Sequence, residues 1–138
     1  MEVRAVKFVV WPVIAASLLS ACTSTGSNRG GLFAKAPPNN FIVALQGGIV
    51  SRAGTQLSES DRQRALEAEY RALEFSEVGQ ATEWKGRNIS GEVVAAAPYQ
   101  VGSQNCRSYT HTLTINEREL KARGTACRNA DGAWTPLS

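Results

Sequence analysis

Cys106 and Cys127 bound two stretches whose patterns lock onto each other. The run Cys106-Arg-Ser-Tyr-Thr-His-Thr-Leu-Thr-Ile-Asn116 alternates with period two. Tyr109, His111, Leu113 and Ile115 fall on one face, and Cys106, Ser108, Thr110, Thr112 and Thr114 on the other. This is the pattern of a strand buried on one side. The run Arg118 to Cys127 repeats it, with Leu120, Ala122, Gly124 and Ala126 opposed to Lys121, Arg123, Thr125 and Cys127. Folding the two runs about Asn116-Glu117 sets Leu113 opposite Leu120, His111 opposite Ala122, Tyr109 opposite Gly124 and Cys106 opposite Cys127. A slip of one residue would put Leu120 among the threonines and send the cysteines to different faces. Directly opposed strand residues lie within disulfide reach, so a cross-strand disulfide Cys106–Cys127 is expected. Asn-Glu is a poorer two-residue turn than Asn-Gly and is the weak point of this hairpin.

A chain of 138 residues has room for one small domain. Lys and Arg number 15 against 12 Asp and Glu, mixed in sign along the chain, which gives no argument for nucleic acid as a partner. The cysteine count of three is odd, so one thiol needs a separate role. That thiol is Cys22. Residues 1–21 read as a secretory signal, with Arg4 and Lys7 before an apolar run from Phe8 to Leu19. The run is too short to be a comfortable membrane span. Leu19-Ser20-Ala21-Cys22 resembles a bacterial lipobox. That resemblance implies cleavage before Cys22, acylation of its thiol and anchoring to lipid by several chains, since one chain holds only marginally. Thr23, in place of the aspartate that marks inner-membrane retention in many bacteria, favours the outer membrane.

Residues 22–40 form a lipidated tether of Ser, Thr, Gly, Asn, Pro and Lys that cannot bury a core. The segment 41–57 is apolar with a Gly47-Gly48 pair. It fits a membrane-touching helix, a strand, or a helix packed on its own sheet, and it is too short to span a bilayer. Residues 58–138 are the expected domain. Ser58-Glu-Ser-Asp61 opens a helix with a capping-box-like start. Ala65, Leu66, Tyr70, Ala72 and Leu73 make its apolar stripe. Arg64, Glu67 and Arg71 are expected on the solvent side, with Glu67 and Arg71 placed as an i,i+4 pair. The acidic residues as a group are expected on that solvent side. Strands are expected over 81–85 and 92–96, then the disulfide hairpin, with Tyr99 to Asn105 as its lead-in. An Asp131-Gly132 turn follows, and Trp134 starts a short edge strand that Pro136 closes. The fold class is α+β: one helix on a small antiparallel sheet of about four to five strands, stapled by one disulfide. Trp84, Val93, Tyr109, Leu113, Ile115, Leu120 and Trp134 are the sheet's expected core. In a core this small the staple is worth about 3 kcal/mol.

With these residues laid out, the chain resembles the bacterial 17 kDa surface antigen lipoproteins. The resemblance is carried by Ser60-Asp-Arg-Gln-Arg-Ala-Leu-Glu-Ala-Glu-Tyr-Arg-Ala-Leu-Glu74, Gly91-Glu-Val-Val94, Tyr99-Gln-Val101, Cys106-Arg-Ser-Tyr-Thr-His-Thr112, Gly124-Thr-Ala-Cys-Arg128 and Asp131-Gly-Ala-Trp134. Many members carry a longer glycine-zipper segment where this chain has only Gln46 to Gly54. The resemblance implies an outer-membrane surface antigen of the cell envelope and brings no catalytic residues.

The residues themselves give little chemistry. His111 is the one histidine, on the inward face, and is expected to be a structural imidazole with a hydrogen-bond partner. A zinc site is not expected, because the cysteines are committed to the hairpin and to lipid. No paired-carboxylate site or phosphate-cradling loop is evident. Trp84, Tyr99, Tyr109 and Trp134 read as core or sheet-edge aromatics rather than a ligand cage. The expectation is therefore a lipid-anchored structural or interaction protein, without catalysis or cofactor. Its partners would be membrane lipid through Cys22 and an envelope protein or peptidoglycan. It would sit on the outer membrane, with the face it occupies open. The alternative is a periplasmic or surface binding or inhibitor module, for example one built like the lipoprotein inhibitors of lysozyme.

Overall fold

The computed structural model describes residues 38–137. The expected signal, Cys22 and the tether as far as residue 37 lie outside the described residues. α1 (Asn39–Ala44), a 3-10 turn (Ile49–Arg52) and α2 (Glu59–Glu74) come first. Six strands follow: β1 (Ala81–Lys85), β2 (Ser90–Ala95), β3 (Tyr99–Val101), β4 (Gln104–Ile115), β5 (Arg118–Arg128) and β6 (Trp134–Pro136). They form one antiparallel sheet in the order β1-β2-β4-β5-β6, with β3 pairing the start of β4. The α+β class holds, but the strand count exceeds four to five. Tyr99–Val101, expected as a lead-in, folds back on Gln104–Cys106 as a strand of its own around Gly102, which turns at φ 61°.

The central hairpin has the expected register. Leu113 pairs Leu120, His111 pairs Ala122, Tyr109 pairs Gly124 and Cys106 pairs Cys127, and the two cysteines are bonded. Asn116 and Glu117 both take positive φ, 47° and 64°, as a type I′ turn requires. β2 pairs β4 through Val93 with His111 and Ala95 with Tyr109.

α2 starts where its cap places it. The Ser58 hydroxyl accepts the Asp61 N–H at 3.1 Å and donates to the Asp61 carboxylate at 2.8 Å. The helix buries Ala65, Leu66, Tyr70, Ala72 and Leu73, and also Ala68, Asp61 and Glu69. The acidic residues are therefore not all on the solvent side, which corrects that expectation. Asp61 is turned in by its cap and by the Arg87 N–H and Arg64 that it accepts from. Glu69 lies on the apolar stripe itself. Glu67 accepts from Gln63 at 3.1 Å, and no Glu67–Arg71 pair occurs among the described residues.

The apolar segment after Phe41 packs on its own domain. Ile42, Leu45, Ile49 and Val50 are buried in one cluster with Leu66, Leu73, Trp84, Val93, Tyr109, Leu113 and Trp134. Leu120 packs against this core only partly buried, and Ile115 lies at its rim. Ile49 fits because β5 offers Gly124, where a Cβ would overlap the Ile49 side chain. No helix among the described residues is long and apolar enough to cross a membrane.

Candidate functional site

The sequence's one histidine sits at the centre of the core, bonded on both sides. Trp84 Nε1–H donates to His111 Nε2 at 2.8 Å. An indole nitrogen only donates, so Nε2 carries no proton and Nδ1 does. The imidazole is the neutral Nδ1–H tautomer, and it donates to Glu69 Oε1 at 2.8 Å. Glu69 is fully buried, with relative exposure 0 %. Its Oε1 also accepts the Val50 N–H at 2.8 Å, and its Oε2 accepts the Ile49 N–H at 3.1 Å and the Tyr109 hydroxyl at 3.3 Å. Burial and the Glu69 charge raise the Tyr109 pKa, keeping the phenol protonated as a donor. Four donors converge on two oxygens, so the group is an ionised carboxylate, and its buried charge is met by hydrogen bonds.

The 3-10 turn supplies two of those donors. It starts at Gly48, with φ 61° and ψ −175°, a region essentially closed to other residues. A Cβ at Gly48 would also overlap Glu69 Oε2. The Gly47-Gly48 pair thus lets the backbone reach an internal carboxylate. Glu69 in turn clasps residues 48–50 to α2 and β4.

A second buried charge closes the other end of the helix. Arg107 shares the inward face with Tyr109 and His111 and is only 6 % exposed. Its guanidinium donates to the carbonyls of Ala72, Leu73 and Ser76 at the end of α2, and to Ala96. The Ala72 and Leu73 carbonyls are among those that a helix C-terminus leaves without partners. At the α2–β6 edge, Glu74 accepts two bonds from Arg128 and one from Trp134 Nε1, each 2.7 to 2.8 Å.

The expected aromatics divide between core and edge. Trp84, Tyr109 and Trp134 are buried, while Tyr99 on β3 is 43 % exposed. They surround no common cavity as a cage would. Glu69, Arg107 and Gly48 are the positions that reading the sequence missed, though two carried a signal. Glu69 stands at helical spacing between Leu66 and Leu73, and Arg107 has the parity of Tyr109 and His111. Among the described residues, no three His, Cys, Asp or Glu side chains gather as a metal site.

The sheet's other face, away from α2, carries Thr110, Thr112 and Thr114 of β4 with Glu83, Lys85, Glu92, Glu119, Lys121 and Arg123 of the neighbouring strands. Two open depressions mark it. One, of about 610 Å³, lies over Val94, Ser108, Thr110, Arg123 and Thr125. The other, of about 310 Å³, lies over Glu83, Glu92, Thr112 and Glu119.

Residues 71–135, which take in the end of α2, β1 to β5 and most of β6, match the family model described as 17 kDa outer membrane surface antigen. This stretch is similar to the 17 kDa surface antigen family. A 17 kDa surface antigen of Rickettsia bellii is 34 % identical over 87 residues, covering 61 % of this chain and 55 % of its own length. Those of Rickettsia felis and Rickettsia conorii are each 37 % identical over 81 residues, covering 56 % of this chain and 51 % of theirs. The chain thus spans about half the length of these surface antigens. No solved structure matches it.

Proposed function

We propose that this chain is an outer-membrane lipoprotein whose domain presents a surface for interaction and performs no catalysis. Cys22 is the acylated residue, residues 1–21 are removed, and residues 22–40 tether a surface-antigen domain over 58–138. Residues 41–57 serve as part of that domain's fold. The observation that carries the reading is the use made of the polar core. The histidine, its carboxylate partner and the tyrosine are closed off from solvent, and their hydrogen bonds tie β1, β4, α2 and the N-terminal segment to one another. The similarity to surface antigens of the outer membrane supports the compartment, and a disulfide suits an oxidising one. The interaction partner is of the envelope, either protein or peptidoglycan.

The test is metabolic labelling with an alkyne-tagged fatty acid, followed by fractionation. The wild-type chain should label and partition with outer membranes, and Cys22→Ala should do neither. A wild-type chain without label, or a labelled Cys22→Ala, would overturn the anchor.

A further inference from the structure

Two rows of the sheet's outer face are charged in a pattern that complements itself, while a third row, Ala81, Val94, Thr110 and Arg123, carries a single charge. The strand registers define its rows. One row runs Glu83, Glu92, Thr112, Lys121 from β1 to β5, and the next runs Lys85, Ser90, Thr114, Glu119. In the first row acid lies on the β1 side of β4 and base on the β5 side. In the second the signs are reversed. Glu83 and Glu92 are directly opposed across β1 and β2, an arrangement that costs energy. Neither has an ion-pair partner among the described residues. Lys121 reaches only Glu119, at 3.7 Å and with both side chains more than half exposed.

We propose that this face pairs with the same face of a second copy, about a two-fold axis lying along β4. Adjacent strands are about 4.8 Å apart, so such an axis carries β5 of one copy over β2 of the other. Lys121 then meets Glu92, and Glu119 comes between Thr114 and Lys85. The threonines of β4, short and uncharged, lie on the axis where each meets its own copy. The same rotation joins the apolar ends of the face. Leu137, whose N–H bonds the Thr125 carbonyl at the β6 edge, is 48 % exposed. It comes over Val78 at the β1 edge, which is 60 % exposed. A two-fold axis across the strands instead matches charge but lays the apolar end over the Asn116-Glu117 turn. The contact is isologous, as closed pairs require, and two sheets facing at about 10 Å leave room for these side chains to meet. Its polar composition makes it a weak, salt-sensitive association.

The full-length chain in detergent micelles tests this by cysteine trapping. Thr110→Cys lies on the axis and should oxidise to a covalent dimer. Arg62→Cys on the exposed side of α2 should not rise above the parent chain, which sets the background. In the Thr110→Cys chain, Glu92→Lys or Lys121→Glu alone should lower dimer yield by about fivefold, and the two together should restore it. A third protein or a glycan as the true occupant would leave Thr110→Cys at background. That result would overturn the proposal, as would equal yields from all the charge variants.

Discussion

Glu69 does the work that a hydrophobic residue does elsewhere on the α2 stripe, but through four hydrogen bonds. Its worth lies in the donors it satisfies, because a buried donor left without an acceptor costs more than the bond itself contributes. Glu69→Gln keeps the volume but turns an NH₂ group toward one of the four donors. The expected loss is about 2–3 kcal/mol, read as a lower urea midpoint with an unchanged slope. An unchanged midpoint would mean that the clasp is not holding residues 48–50. Trp84→Phe removes the donor to His111 Nε2 and should cost about 1–2 kcal/mol. At this scale the sequence was only partly legible. His111 could be placed by parity as a bonded structural imidazole, but its partners could not. Glu69 comes from 42 positions upstream, and the Ile49 and Val50 amides from a segment that fitted lipid as well as protein. Only the meeting of three elements reveals why a charge stands on an apolar stripe.

Among the elements, the β4–β5 hairpin was the most legible, because a period-two pattern with one buried face admits one register. Removing its staple by Cys106→Ala with Cys127→Ala should cost about 3 kcal/mol, measured as loss of denaturant stability with the fold retained. The turn offers the opposite change. Glu117 sits at φ 64°, where a side chain is strained. Glu117→Gly should raise stability by about 1 kcal/mol, and a fall would show that the side chain makes a contact worth more than the strain. β3 was not legible, since a three-residue strand is too short to show a period and all three of its residues are exposed. The helix was legible in its cap and its leucines. Its far end was not, because Arg107 closes it from 31 to 35 positions away.

For the molecule as a whole, two carboxylates held below their ordinary range contribute to the response to acid. The Ser58 hydroxyl first, then the Arg87 N–H and Arg64, hold Asp61 below its ordinary 3.8. Arg128 first, then Trp134, hold Glu74 below its ordinary 4.5. As pH falls the unfolded chain binds protons before the folded one. The stability these groups give is therefore complete above about pH 5 and lost as pH drops through their folded values. Melting temperature should decline between about pH 5 and pH 3, and Glu74→Gln should flatten that decline while lowering stability at neutral pH by about 1 kcal/mol. An undiminished slope in Glu74→Gln would assign the acid response elsewhere.

The clasp at Glu69 also orders events in time. Its amide partners lie 19 and 20 positions upstream and its imidazole 42 downstream. The carboxylate has no complete seat until β4 has arrived against α2. A chain emerging N-terminus first must therefore hold Ile42, Leu45, Ile49 and Val50 in waiting while everything that will cover them is still to come.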